Sequence, residues 1–332
     1  MENYTVTGRI GEGAHGLVVK AIKNETGNEV ALKKVLLKRI NDGLPVSIIR
    51  EVKTLQEMNH PFIIKLLDAF PSGFDYIMVF HYMPSGLWEL LKDSNRPLTL
   101  SMKKCYIKML LEGVAYMHRT NIMHRDLKPA NLLIDPSGVL KIADFGLARL
   151  TWEEYTRPYS QQVATRWYRA PELLYGSKLY SSSIDMWSVG CIIAEIINNS
   201  PLFPGDSDIE QLAMVLRQLG TPTVETWPDL HSLPDYNKIT FPYQKGMLWE
   251  EVIPDATSEA LHIIRNMLVY NSSSRLTAND ALKQKYFYTR PYACIIQQLP
   301  KPPHNHRSLL RPNGIDVFGR PTIMFKGLIK LT

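Results

Sequence analysis

Residues 124–131 of this 332-residue chain read His-Arg-Asp-Leu-Lys-Pro-Ala-Asn, and Asp144-Phe145-Gly146 begins thirteen positions after the asparagine. A carboxylate that orients an attacking hydroxyl, a cation beside a moving phosphoryl group and two oxygen ligands for Mg²⁺ are the parts that phosphoryl transfer from ATP needs. Asp126, Lys128, Asn131 and Asp144 are side chains of those types. Either string alone could be an ordinary surface ion-pair network, so its weight depends on the strings around it.

Three more strings occur in chain order. Gly11-Glu12-Gly13-Ala14-His15-Gly16-Leu17-Val18 fits G-x-G-x-x-G-x-V, in which residues lacking Cβ let backbone N–H groups approach phosphate oxygens. Val30-Ala31-Leu32-Lys33 sets a lysine in an otherwise apolar strand, where its burial demands an acidic partner. Glu51, eighteen residues later on a predicted helix, is that partner, while Lys34 alternates to the other face of the strand. Ala170-Pro171-Glu172 completes the series.

The elements that must position these groups divide the chain in two. Strand-like segments at 4–10, 17–21, 29–36, 64–70 and 76–80 are interrupted by one helix at 45–58, with Pro45 suited to its first turn. Pro84 and Gly86 mark a connector, and beyond it apolar residues recur at helical spacing over 100–117 and 184–197. The expected fold is α+β and bilobal: a small β-rich lobe with one helix (1–80), a hinge (81–86), a larger mainly α-helical lobe (87–289) and a basic tail (290–332). Pro291, Pro300, Pro302, Pro303, Pro312 and Pro321 interrupt regular structure in that tail, whose final stretch 323–331 is apolar. A small ligand would sit between the lobes, the usual place for such a site.

Bulk properties exclude other classes. A net charge of +6 could suggest nucleic acid, but the bases are scattered and not blocked together. Cys105, Cys191 and Cys294 are too widely spaced for a zinc site or a disulfide framework, and His304 and His306 are too few for a metal site. The longest apolar run, 189–197, is broken by Glu195 and falls well short of the ~20 residues of a membrane span. The first residues lack the character of a signal peptide, so an intracellular protein is expected.

With its five strings in order, the chain resembles eukaryotic protein kinases over about residues 4–288. Within them it is similar to the cyclin-dependent-kinase-like group. Pro45-Val46-Ser47-Ile48-Ile49-Arg50-Glu51 resembles the PSTAIRE helix, and Val163-Ala164-Thr165-Arg166-Trp167-Tyr168-Arg169-Ala170-Pro171-Glu172 is wording shared by cyclin-dependent and mitogen-activated kinases. The glycine loop, Lys128-Pro129-Ala130-Asn131-Leu132-Leu133 and residues 233–238 are similar to those of the cell cycle-related kinases.

The resemblance implies a protein serine/threonine kinase that uses ATP and Mg²⁺, since Lys128 stands where tyrosine kinases carry other residues. It implies that Asp126 accepts the proton of the substrate hydroxyl, Lys128 stabilises the moving phosphoryl charge, and Asn131 and Asp144 hold metal. Lys33 and Glu51 then position ATP, and Thr165 hydrogen-bonds Asp126 and Lys128. Ile10, Gly11, Gly13, Gly16, Val18 and Ala31 belong to the nucleotide site, with Phe80 as gatekeeper and His81 and Met83 as hinge contacts. Arg50, Arg125 and Arg149 imply a clamp for a phosphate on Ser160, with Thr156 and Tyr159 as weaker candidates. Gln162 occupies the place of the second phosphorylated residue of mitogen-activated kinases, so a single phosphate is expected. Arg169 implies specificity for Ser/Thr-Pro sites.

Departures matter as well. Ala14-His15 replaces the phosphorylatable pair of many cyclin-dependent kinases, and Val46 and Ile48 differ from the cyclin-facing helix, leaving cyclin dependence open. Glu172 with Arg275, and Asp185 with Trp187, imply structural roles. The implied partners are protein substrates, a cyclin or cyclin-like activator and an upstream kinase, in cytoplasm, nucleus or cilium. Two rivals stand: a nucleotide-binding scaffold without transfer activity, and the mitogen-activated subgroup.

Overall fold

A computed structural model describes residues 2–13, 16–36, 44–73, 75–151, 159–160, 163–303 and 306. Ala14, His15, Thr156, Gln162, His304 and the apolar stretch 323–331 lie outside the described residues. The first lobe is an antiparallel sheet in the order β1-β2-β3-β5-β4, built from β1 (Tyr4–Gly13), β2 (Gly16–Lys23), β3 (Glu29–Leu36), β4 (Leu66–Ser72) and β5 (Asp75–His81). Alternation sends Leu17, Val19, Ala21, Val30, Leu32, Ile77 and Val79 into one small core. On the same strand Lys34 turns away from Lys33 and meets Asp75 at 2.8 Å, as alternation requires.

One helix, α1 (Val46–Glu57), crosses this lobe. The sequence places Pro45 in its first turn; instead Pro45 is the capping residue, with φ −52° and ψ 136°. Its carbonyl accepts from the N–H groups of Ile48 and Ile49, so it begins the hydrogen-bond ladder from outside the helix. Ile48, Val52 and Leu55 are buried, whereas Val46 and Ile49 face solvent.

Past β5 the chain makes the short strand β6 (Ser85–Gly86) and helix α2 (Leu87–Lys92), then the long α3 (Leu100–Arg119), capped by Thr99 accepting from the Met102 N–H. The strands β7 (Ile122–Met123), β8 (Leu132–Ile134), β9 (Leu140–Ile142) and β10 (Arg149–Leu150) form two small sheets, β10-β7 and β6-β8-β9, that carry the loops with the chemistry. Behind them lie α4 (Pro171–Leu174), α5 (Ser183–Asn198), α6 (Asp208–Leu219), α7 (Trp249–Val252), α8 (Ser258–Met267) and α9 (Ala278–Ala281). Every residue of α5 from Ile184 to Ile197 is buried, which explains why its apolar pattern runs around the whole helix. The expected α+β bilobal fold is therefore present. The prolines after residue 290 do not exclude all regular structure, because Ile296–Gln298 form a 3₁₀ turn between two of them. Among the described residues no helix is long and apolar enough to cross a membrane.

Deep in the helical lobe the Arg275 guanidinium forks onto Glu172, with Nη1–Oε1 and Nη2–Oε2 both 2.6 Å. Its remaining donors reach the carbonyls of Val269, Tyr270 and Ser183, and its plane lies 5.1 Å from the Trp187 ring. The pair joins the end of the 163–172 stretch, which the resemblance to kinases implies is the close of an activation segment, to the helices below it. Glu172→Ala leaves that guanidinium buried without its carboxylate, and is predicted to cost about 3–5 kcal/mol. The urea midpoint of unfolding reads this; a shift worth less than about 1 kcal/mol would put the pair with exposed ion pairs.

Candidate active site

The catalytic loop hangs from one buried carboxylate. Asp185, in the first turn of α5, accepts the His124 N–H on Oδ2 and the Arg125 N–H on Oδ1, each at 2.8 Å, and the His118 ring lies 3.0 Å from Oδ2. Burial pushes the Asp185 carboxyl up, but the hydrogen bond and charge of His118, the charge of His124 and the Arg125 N–H outweigh it, and the group titrates below its ordinary value. These bonds hold Arg125 at φ 68°, a left-handed conformation that a residue with Cβ adopts only when its surroundings impose it. The His124 ring in turn lies 3.0 Å from the Ala143 carbonyl through Nε2 and packs edge-on to Phe145 at 4.9 Å. The loop and the Asp144-Phe145-Gly146 turn are thereby one unit.

On that unit the predicted side chains converge. Asp126 Oδ1 accepts from the Thr165 N–H at 2.9 Å and the Thr165 hydroxyl at 3.0 Å, while Oδ2 faces Lys128 Nζ at 2.9 Å and Asn131 Nδ2 at 3.1 Å. Lys128 also donates to Thr165 Oγ1 at 2.7 Å, and Asn131 to the Asp126 carbonyl at 2.8 Å. Lys33 Nζ stands between Glu51 Oε1 at 2.7 Å and Asp144 Oδ1 at 2.9 Å. Burial would discharge this lysine, but the two carboxylates reverse the effect and hold its pKa above the ordinary value. It therefore stays cationic at neutral pH. Asp144 takes φ 63°, a left-handed turn that aspartate tolerates better than most residues.

Between these groups and the hinge lies a cleft of about 620 Å³, within the range of small-molecule sites. Its lining includes Ile10, Gly11, Gly16, Val18, Ala31, Lys33, Glu51, Phe80, His81, Met83, Asn131 and Asp144. Gly13 pairs with Gly16 at the tip of the β1–β2 hairpin. Gly16 has φ 119°, and a Cβ there would lie 2.2 Å from the Lys34 carbonyl oxygen, so β2 lies this close to β3 at the edge of the cleft only with glycine. The donor set fits ATP and Mg²⁺: apolar walls for a base, a buried cation for phosphates, and the hard oxygens of Asp144 and Asn131 for a divalent ion. Among the described residues no separate His, Cys, Asp and Glu cluster could hold a metal.

The family model for the protein kinase domain matches residues 4–287. The chain belongs to the protein kinase family. Cyclin-dependent kinase 20 of Danio rerio is 54% identical over 303 residues, covering 91% of this chain and 88% of that protein, and the Homo sapiens counterpart is 52% identical over the same shares. Cyclin-dependent kinase 7 of Xenopus laevis is 43% identical over 296 residues, covering 88% of this chain and 83% of the relative. A crystal structure of the yeast RNA Pol II CTD kinase CTDK-1 complex superposes with a TM-score of 0.82 at 34% identity, over 89% of this chain and 96% of that one. The chain is thus a serine/threonine protein kinase of the cyclin-dependent-kinase-like group, and the resemblance to the cell cycle-related kinases is borne out.

In this kinase the charge of Arg125 reaches Arg50, and the charges of Arg50 and Arg125 reach Arg149. Burial first and the charge of Arg125 second depress the Arg50 guanidinium, and burial followed by Arg50 and Arg125 depresses Arg149. Arg125 Nη1 donates to the Tyr180 hydroxyl at 2.8 Å, which donates to the Ser160 carbonyl at 2.8 Å, and the Ser160 residue itself is exposed. Farther along, Arg169 Nε donates to the Val163 carbonyl at 3.0 Å and Nη2 to the Ala164 carbonyl at 2.9 Å, with Ala164 at φ 64°.

Leu55, Ile64, Trp88, Glu89, Ala130, Leu133, Ala143 and His306 also line the cleft, beyond the nucleotide-site residues that the resemblance implies. Ala130 and Leu133 sit inside a string that was already diagnostic, whereas no local pattern marks His306. The Asp185 anchor generates a pH-dependent prediction. A carboxyl depressed by folding stabilises above its unfolded value, about 3.9, and that contribution is lost as pH falls through the lower native value. At neutral pH Asp185→Asn is expected to lose roughly 1.5–3 kcal/mol of stability, and the gap to wild type should narrow on acidification below about pH 5. Denaturant unfolding of both proteins across pH checks this; a gap that widens in acid would contradict it.

Proposed function

We propose that this kinase is proline-directed, transferring the γ-phosphate of Mg²⁺-ATP to Ser/Thr-Pro sites. The observation that carries the reading is the Arg169 fork on the Val163 and Ala164 carbonyls at 3.0 and 2.9 Å. Arg169 occupies acceptors that a substrate backbone would otherwise use, so a residue after the phosphoacceptor with an N–H would leave that donor unpaired. Proline has none to leave.

The roles follow from placement. Mg²⁺, held by Asp144 and Asn131, would supply neutralisation of phosphate charge. Lys33, kept cationic by Glu51 and Asp144, is suited to hold nucleotide phosphates. Asp126 meets four donors, the Thr165 N–H and hydroxyl on Oδ1 and Lys128 and Asn131 on Oδ2, which fill the about four lone-pair sites of a carboxylate, so a substrate hydroxyl would displace one of them to be oriented and to give up its proton. Lys128 stands where the charge of the moving phosphoryl group would be balanced.

Two switches belong to the same reading. Phosphate on exposed Ser160 would satisfy Arg50, Arg125 and Arg149, where after burial the charge of Arg125 depresses Arg50 and the charges of Arg50 and Arg125 depress Arg149. A cyclin or cyclin-like activator would cover Val46 and Ile49, 67% and 39% exposed on α1, and so fix Glu51 against Lys33. Protein substrates, an upstream kinase, and work in cell-cycle or ciliary signalling in cytoplasm, nucleus or cilium complete the proposal.

Steady-state assays on a Ser-Pro peptide and its Pro→Ala twin are expected to differ by about 5- to 100-fold in kcat/KM, the equivalent of one unpaired donor. Equal rates would exclude proline direction. Phosphosite mapping on activated protein is expected to find Ser160, and Ser160→Ala to lose roughly tenfold or more in activity; full activity in that variant would remove the switch.

A further inference from the structure

The segment after residue 290 returns to the cleft. Leu299, only 3% exposed, packs on the β8–β9 turn, where a Cβ on Gly138 would lie 3.1 Å from Leu299 Cβ and 3.0 Å from the Pro300 carbonyl oxygen. Beyond Pro303, whose carbonyl accepts from the His306 N–H at 3.0 Å, the His306 ring lies with Nδ1 2.8 Å from Ser85 Oγ and Nε2 3.7 Å from Asp93 Oδ2. Ser85 is fully buried, and the His306 side chain is 17% exposed. The imidazole is thus a wall of the same cleft that Ile10, Met83 and Leu133 line.

Its place in that cleft narrows its ligand. Ser85 follows the hinge residue Met83 by two positions, so the ring stands at the hinge end, away from the Lys33 Nζ that meets Glu51 and Asp144. A base held on the hinge needs flat apolar walls, which Ala31, Met83 and Leu133 supply, and phosphates need the Lys33 end. The polar group between them is the sugar. Gly86 contributes no side chain there; His306 Nδ1 is engaged by Ser85 Oγ, which also lies 3.2 Å from the Gly86 carbonyl, while Nε2 has Asp93 Oδ2 at 3.7 Å, too distant for a good hydrogen bond, and a ribose hydroxyl, which both donates and accepts, can pair with Nε2 in either tautomer.

We propose that His306 is a nucleotide-contacting residue delivered by the C-terminal segment, its imidazole hydrogen-bonding the ribose hydroxyls. The proposal rests on the reading of this cleft as the ATP site. It adds to the known wall of the cleft a residue more than 160 positions beyond Asp144, so that docking of the tail and nucleotide affinity are coupled.

Calorimetric titration of the full chain with ADP, adenosine and 2′,3′-dideoxyadenosine tests it in wild type, His306→Ala and His306→Gln. His306→Ala is expected to weaken ADP and adenosine about 5- to 10-fold, one hydrogen bond's worth, and to leave dideoxyadenosine binding unchanged. His306→Gln, which keeps a donor, is expected to recover part of the loss. Unchanged adenosine affinity in His306→Ala would overturn the proposal, as would an equal loss for dideoxyadenosine, which would make the ring a mere wall. Failure of wild type to bind any of the three would instead refute the ATP-site reading beneath it.

Discussion

The Asp126 carboxylate is the group on which the rest of the structure converges. Four donors from three places meet it: the Thr165 N–H and hydroxyl on one oxygen, Lys128 and Asn131 on the other. A buried carboxylate is costly unless it is so surrounded, and the surrounding is what aims it. Because Thr165 belongs to the activation segment and the other two belong to the catalytic loop, this one cluster exists only when both segments are in register. The long-range devices serve that condition. Asp185 fixes the loop backbone from below, and the Glu172–Arg275 pair fixes the end of the activation segment to the helical lobe.

Strain is distributed accordingly. Arg125, Asp144 and Ala164 all hold positive φ, and each is secured by a specific partner or neighbour in the site: Asp185 for Arg125, the Lys33 ion pair for the Asp144 side chain, and Arg169 for Ala164. Left-handed backbone at residues with Cβ persists where the surroundings over-determine it. Here it orients, in turn, a catalytic loop, a candidate metal ligand and the carbonyl that Arg169 engages.

Much of this was legible before any coordinates, because the chemistry of phosphoryl transfer admits few residue types and those types fall in short strings. The Lys33–Glu51 partnership followed from the cost of burying a lysine, and the strands from alternation, with Glu29–Leu36 matching to the residue. What the strings could not show lies in contacts between distant segments. The apolar repeat was silent on Pro45 capping α1 from outside, since φ near −65° suits both positions. His306 offered no local pattern at all; its place depends on the return of the tail to Ser85, past the packing of Leu299 on the Gly138 turn.

The central claim is that this cleft moves a phosphoryl group and does not merely hold a nucleotide. Transfer of radiolabelled γ-phosphate to a Ser-Pro peptide, measured for partner-activated wild type and Asp126→Asn alongside their ADP affinities, tests it most directly. Label on the serine is expected with wild type, with a loss of about 10²-fold or more in the variant and unchanged ADP binding in both. Wild type that binds ADP yet labels no peptide, or Asp126→Asn that labels as fast as wild type, would contradict it.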